Sequence, residues 1–443
     1  MALRFAESQS VSVKAFLIGV IVVILLVPLT LLRGLVSERT NLREQAYARV
    51  AQGWGGNIVT GGPMLLVPTE RRVMEGNTIR VVRSDVYILP TQLDAEIDLK
   101  LEPQPRRVGI YDVPVYLAGI HLSGRFDFAS VQPLLGKPGT TYLWQQSRLR
   151  LPLSQVRSLR EVQQARFGNQ DIALAPAGPG LYHGVESIID LSDLAKNGEL
   201  AAVGDTTFNF RMVVAGSRDF SVLPTGSTTN ISLRSGWPHP SFQGAFLPVS
   251  HSISATGFDA RWQVLEINRP YRQVWQEEEV SEPAFLDSAL GVALYQSVDV
   301  YQSGERAIKY ALLFIALTFL TFFAWEQTSG VRIHPLQYLL VGLALSMFYL
   351  LLIALSEHIA FLYAYMSAAV ALVLLIGTYL ASALRSRSRG VIAGAAMTVV
   401  YGLLYVLVLS EDYALLLGAI TLFTALAGVM LSTRKIDWYA SRE

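Results

Sequence analysis

Six stretches of this sequence carry no charged side chain: Ala15–Leu32, Tyr310–Trp325, Pro335–Ser356, Ile359–Leu384, Gly390–Ser410 and Tyr413–Thr433. Backbone polar groups in lipid must be satisfied internally, and a helix needs about 20 apolar residues to cross a bilayer, so each run predicts a membrane-spanning helix. The second run is 16 residues long; Lys309, just before it, extends the span by carrying its ammonium to the interface. The first run exceeds the apolar core of a cleavable leader, and no A-x-A site follows Leu32 before the charged Arg33–Arg49 segment. It therefore reads as a retained anchor, kinked near Pro28.

Lys and Arg in the short loops set the orientation. With the N-terminus, Arg4 and Lys14 inside, the inner segments are Glu326–His334 with Arg332, the loop with Arg385, Arg387 and Arg389, and a tail with Arg434, Lys435 and Arg442. The outer turns, Glu357-His358 and Glu411-Asp412, contain no Lys or Arg. Every short loop agrees on both termini being cytoplasmic. The predicted organisation is an N-terminal stub and first span at 1–36, an extracytoplasmic domain at 37–307, a five-helix membrane domain at 308–433 and a cytoplasmic tail at 434–443.

Composition fits this division. Charged residues make up only 16% of the chain, against about 25% in soluble domains, yet Val36–Ala307 holds 25 basic and 28 acidic residues. A net charge of +1 gives no electrostatic footprint for nucleic acid. The absence of cysteine excludes disulfides and thiolate chemistry, so the outer domain must hold by burial alone.

Within that domain an amphipathic helix continues from the first span to Trp54, with Leu42, Ala46 and Val50 in step, and ends at Gly53, Gly55 and Gly56. The period then changes to two. Ile79-Val81, Ile97-Leu99-Leu101, Val113-Val115-Leu117, Phe126-Phe128, Leu149-Leu151, Phe208–Val214 and Ile231-Leu233 alternate apolar with polar residues between Gly, Pro and Asn clusters. This predicts a mostly antiparallel, sandwich-like β domain. Helix formers at Val156–Phe167 and Ile188–Leu200 predict two short helices or turns, with Asp190 or Ser192 as the N-cap of the second. A fragment from about Glu70 to Val280 should then fold alone.

Catalytic signatures are missing: no G-x-S-x-G, H-E-x-x-H or P-loop pattern occurs, and no histidine lies three or four residues from another. The expectation is no catalytic residue, metal site or cofactor. Within the charge-free runs only neutral groups remain, among them Gln337, Ser346, Tyr349, Ser367, Thr378 and Thr398, best read as helix-to-helix hydrogen bonding. Two outer segments are richer than a generic surface. Trp237, Pro238, His239, Pro240, Ser241 and Phe242 open a rigid, partly buried stretch running to Pro248, which reads either as a structured crossover capping the sandwich or as a candidate interaction loop. Asp299, Tyr301, Arg306 and Lys309 form a candidate joint between domain and membrane, with Asp299 pairing Arg306.

Five segments stand out: Gly62-Pro63-Met64-Leu65-Leu66-Val67-Pro68, Trp237-Pro238-His239-Pro240-Ser241-Phe242-Gln243-Gly244, Gly257-Phe258-Asp259-Ala260-Arg261-Trp262, Arg332-Ile333-His334-Pro335-Leu336-Gln337-Tyr338 and Glu411-Asp412-Tyr413-Ala414. Taken in this order from end to end, they resemble the CreD family of bacterial inner-membrane proteins. Asn57 and Ser297 stand where the family pattern commonly has Gln and Pro. The resemblance implies an inner-membrane location in a Gram-negative bacterium and a role in envelope integrity linked to stress signalling. It carries over no reaction or catalytic residue. Three readings follow: a non-enzymatic integrity protein contacting membrane lipid, envelope proteins or cell-wall components; a membrane chaperone or insertase, by layout; and an enzyme or transporter of lipid or cell-wall precursors.

Overall fold

The computed structural model describes residues 11–75, 78–135, 139–192, 195–196, 199–200, 205–294, 300–329, 333–383, 386–410 and 413–433. They fall into two compact units, residues 1–43 with 298–443, and residues 44–297.

The first unit is helical. Helices Val11–Ile24 and Leu26–Gly53 run on from one another with a single break at Leu25. Pro28 has no N–H to offer the carbonyl of Ile24, which is why the ladder opens there. Val300–Ser329, Pro335–Ser356, Phe361–Ala383, Arg387–Leu409 and Ala414–Thr433 follow. Among the described residues five helical stretches are long and apolar enough to cross a membrane: Val13–Gly53, Val300–Phe323, Pro335–Ser356, Phe361–Ser382 and Gly390–Leu409. The last helix holds a shorter apolar stretch, Leu416–Gly428. The 16-residue run belongs to a helix of 30 residues, which removes its apparent shortfall.

These helices reverse the pattern of a water-soluble bundle. Large apolar residues such as Leu374, Val391 and Phe423 are exposed, while Ala364, Ala368, Tyr338 and Tyr365 are buried. Small residues let backbones approach where lipid supplies no hydrophobic drive. A Cβ on Gly342 would meet Leu25 Cδ1 at 2.2 Å, and one on Gly390 would meet Ala381 Cβ at 2.4 Å.

The second unit is β-rich. An eight-stranded sheet runs Gln170–Asp171, Leu159–Phe167, Thr206–Ser217, Val115–Phe126, Gln92–Leu101, Thr228–Ser235, Gly257–Leu265 and Ser250–Ser254. A seven-stranded sheet runs Ala175–Pro176, Gly184–Ile189, Ser147–Pro152, Met64–Glu75, Thr78–Ile88 and Val274–Gln276, with Thr140–Tyr142 beside Met64–Glu75. A four-stranded sheet joins Ile58–Gly61, Asp219–Leu223, Leu290–Leu294 and Pro240–Gly244. Pairing is antiparallel except that Ile58–Gly61 runs parallel to Asp219–Leu223 and Gln92–Leu101 to Thr228–Ser235, among the described residues. Alternation does the work expected of it: Leu93, Ala95, Ile97 and Leu99 enter a core cluster that also takes Leu65, Val67, Leu149 and Leu151 from the seven-stranded sheet.

Three expectations need correction. Val156–Phe167 is a short 3-10 turn followed by the strand Leu159–Phe167, paired with Thr206–Ser217. Arg160, Glu161, Gln163 and Arg166 lie exposed near the sheet edge, where charge is tolerated, and pairing overrides their helix preference. In Ile188–Leu200, Ile188 and Ile189 end a strand, and Asp190 accepts from the Ser192 N–H at 2.8 Å in a side-chain turn, the same chemistry that caps helices. The pairs Ala195–Lys196 and Glu199–Leu200 form a small two-stranded ladder. Phe126 and Phe128 are both buried, but not on one strand: Asp127 between them caps a four-residue helix and lets the rings stack at 6.1 Å.

The Glu70–Val280 fragment cuts through Met64–Glu75 and omits Leu290–Leu294, an inner strand of the four-stranded sheet. Residues 44–297 keep both. This longer fragment is expected to melt cooperatively by circular dichroism, and the shorter one to lose the cooperative transition.

Candidate functional site

The segment after Ser235 is shaped by its own hydrogen bonds. Ser235 Oγ donates to the Leu99 carbonyl at 2.9 Å and accepts from the Trp237 N–H at 3.3 Å, and Trp237 Nε1 donates to the His239 carbonyl at 3.1 Å. The middle of the predicted loop is a strand, Pro240–Gly244, with Ser241 opposite Ala293 and Phe242 opposite Val292. It ends at Gly244, whose φ of +99° and a clearance of 2.2 Å from a built Cβ to the Ala289 carbonyl oxygen exclude a side chain. The Phe242 ring lies 5.3 Å from His251 and 5.8 Å from both Phe258 and Trp262. Trp262 is buried and donates from Nε1 to the Phe246 carbonyl at 3.1 Å. Trp237, Phe242 and Phe246 are half-buried against the core, whereas His239 and Ser241 face solvent. Just beyond, Leu247 is 72% exposed, Val249 75% and Ile253 51%. The result is an aromatic-backed surface with an apolar rim.

The second set of predicted residues bonds within the helical unit. The Tyr301 hydroxyl donates to Glu357 Oε1 at 3.2 Å, Arg39 Nε lies 3.5 Å from the same oxygen, and the Arg43 guanidinium stands 5.4 Å above the Tyr301 ring. Arg306 donates to the Val408 carbonyl at 3.4 Å, supplying a partner for the end of the Arg387–Leu409 helix. Lys309 pairs with Glu305 at 3.4 Å, one turn away. Asp299 lies outside the described residues, as does Arg385. Arg387 and Arg389 occupy the first turn of Arg387–Leu409, where cations oppose the helix dipole, so helix stability does not account for them.

A third cluster escaped the sequence reading. Lys14 forms an ion pair with Glu326, and their side chains are 14% and 6% exposed. Glu326 also accepts from the Ile333 N–H at 3.1 Å and the Tyr338 hydroxyl at 3.1 Å, and Lys14 donates to the Ile333 carbonyl. The cluster ties Val11–Ile24, Val300–Ser329 and Pro335–Ser356 together. Its signal was present but split: Lys14 stands one residue before the first charge-free run and Glu326 one residue after the second.

The neutral polar residues of the spans bond mainly within their own helices, not across them as the sequence suggested. Ser346 donates to the Gly342 carbonyl, Thr378 to Leu374 and Thr398 to Gly394, each four residues back. Gln337 caps its helix by accepting from the His334 N–H at 2.8 Å. Tyrosine hydroxyls do cross: Tyr365 donates to the Tyr401 carbonyl at 2.6 Å, and Tyr338 to Glu326 as above. Among the described residues no group of acidic residues and histidines is placed to hold a metal ion.

Residues 10–439 match the family model described as Inner membrane protein CreD. The chain is also 33% identical over 445 residues to the Inner membrane protein CreD of Escherichia coli (strain K12), covering 95% of this chain and 92% of that one.

Proposed function

The chain belongs to the CreD family of inner membrane proteins, and from that premise we propose that it supports envelope integrity through non-enzymatic contacts of its β-rich domain on the periplasmic side. The observation that carries this reading is the surface from Phe242 to Ile253, where a braced aromatic strand adjoins exposed Leu247, Val249 and Ile253. Large apolar side chains exposed within a few residues of one another on a water-soluble domain are costly unless something covers them, and such surfaces mark contact sites. The buried charges of the domain are engaged in structure: Arg150 binds Glu186 and Arg269 binds Gln273 and the Thr225 carbonyl. An insertase-like mechanism calls for a cation free in an intramembrane groove, whereas Lys14 is neutralised by Glu326. The partners this surface suits are membrane lipid, envelope proteins or cell-wall components.

The reading needs the domain outside and both termini inside, with Ala414–Thr433 as a sixth span. Arg387, Arg389 and the acidic turn at Glu357 support that orientation. A fusion after Arg389 is expected to be active only with a cytoplasmic reporter, and one after Glu199 only with an exported reporter. The reverse pattern at either point removes the periplasmic reading.

A further inference from the structure

The eight-stranded sheet ends on one side in Gln170–Asp171 and on the other in Ser250–Ser254. An edge strand leaves a row of backbone N–H and C=O groups without a sheet partner, and proteins blunt such edges with brevity, proline or charge. The other edges of the three large sheets show these devices among the described residues. Gln170–Asp171 is two residues long, with Asp171 held by Arg166 at 2.9 Å. Ala175–Pro176 is two residues with a proline, and Pro240–Gly244 opens on one. Ile58–Gly61 is mostly buried, and the three-residue Val274–Gln276 runs straight into Glu277–Glu279. Ser250–Ser254 has no such device: five residues, all exposed, with neither charge nor proline.

Its sequence, Ser-His-Ser-Ile-Ser, is close to symmetrical about Ser252. When two copies pair antiparallel around a twofold at that residue, Ser252 faces Ser252 of the partner subunit, Ser250 faces Ser254 of the partner subunit, and His251 faces Ile253 of the partner subunit. No like charges meet. Side chains alternate along the strand, so His251 and Ile253 share a face, and the His251 ring already lies 5.3 Å from Phe242. Ile253, half exposed with no strand beyond it, gains His251 of the partner subunit as cover. In the same register Val249 meets Ala255 of the partner subunit.

We propose that Ser250–Ser254 is a homodimerisation edge, through which two copies of this chain join their eight-stranded sheets about a twofold at Ser252. The proposal rests on reading Phe242 to Ile253 as a contact surface, and names a second copy of the chain as the occupant.

The absence of cysteine makes the test clean. Directly opposed residues in an antiparallel pair have Cα atoms about 4.5–5.5 Å apart, within the span of roughly 4.4–6.8 Å that a disulfide bridges. Full-length Ser252→Cys in native membranes, mildly oxidised, is expected to give a disulfide-linked dimer, and Gln170→Cys at the opposite edge to give none. Ser252→Lys and Ser252→Asp, each placing like charges across the twofold, are expected to reduce co-purification of two differently tagged copies at least about tenfold, and the two variants expressed together to restore it. Ser252 is exposed, so neither change threatens the fold. Absence of a dimer above the Gln170→Cys background overturns the proposal. So does an adduct from Ser252→Cys that contains a different protein, but that result leaves the contact-surface reading standing. Both fall if no adduct forms and Val249→Glu is silent in cells.

Discussion

Glu326→Ala is expected to destabilise the helical unit by about 3–5 kcal/mol, the range for removing one partner of a buried ion pair. The loss is large because Glu326 satisfies three donors at once: Lys14, the Ile333 N–H and the Tyr338 hydroxyl. Truncating it strands an ammonium that is 14% exposed in a site where water is scarce. The cost is chiefly that of the uncompensated charge, so the double variant Lys14→Met with Glu326→Leu is expected to recover much of it. Unfolding of the purified protein in mixed micelles by titration with denaturing detergent measures both. A double variant no better than the single would mean that packing around the cluster, not charge pairing, dominates there.

In the β-rich domain the comparable experiment is Arg150→Met, expected to cost about 3–5 kcal/mol in urea unfolding of residues 44–297. Arg150 is fully buried, and its guanidinium donates to Glu186 Oε2 at 3.0 and 2.7 Å, to the Pro179 carbonyl at 3.1 Å and to the Tyr182 carbonyl at 3.4 Å. Methionine fills the space but supplies none of these bonds. Gly180 shows how closely the chain wraps the group: a Cβ there would lie 2.2 Å from Arg150 Nη1. Burial pushes the Glu186 carboxyl up, but the Gly178 N–H and the Arg150 guanidinium outweigh it and hold the group below the ordinary glutamate value. A depressed folded value means that this stabilisation is complete above the ordinary glutamate range and is lost as pH falls through the folded value. Without Arg150 the burial effect is opposed only by the Gly178 N–H and the nearby Arg148 charge, so the depression shrinks. The stability gap between wild type and Arg150→Met is therefore expected to narrow on acidification from neutral pH. Asp219 is pushed up by burial, with Arg218 pulling it back, and is common to both proteins, so it cancels in the comparison.

Much of the architecture is legible in the linear pattern because the two environments impose different periods. Lipid permits long charge-free helices, so runs such as Pro335–Ser356 coincide with helices to the residue. A half-buried sheet imposes alternation, so Gln92–Leu101 reads directly as a strand. What escapes is set by pairing in space. Leu159–Phe167 is a strand because Thr206–Ser217 lies beside it, and its own residues favour helix. Ile79 and Val81 alternate like core residues yet are 67% and 51% exposed, since the strand that carries them projects beyond the core. The Lys14–Glu326 pair joins residues 312 positions apart, and a search for uninterrupted apolar runs discards both ends by construction. Glu357 is a similar case: read as an acid in an outer turn, it collects Tyr301 and Arg39.

We propose that the Phe242–Ile253 surface acts by contact and not by chemistry. Survival under envelope stress, in cells whose only copy is a variant held at wild-type abundance, tests it most directly. Val249 is exposed and free to change without unfolding the domain, whereas His239 and Ser241 are the residues an enzyme would use there. The account predicts that Val249→Glu fails to protect while the double variant His239→Ala with Ser241→Ala protects as well as wild type. Full protection by Val249→Glu together with loss in the double variant would contradict it.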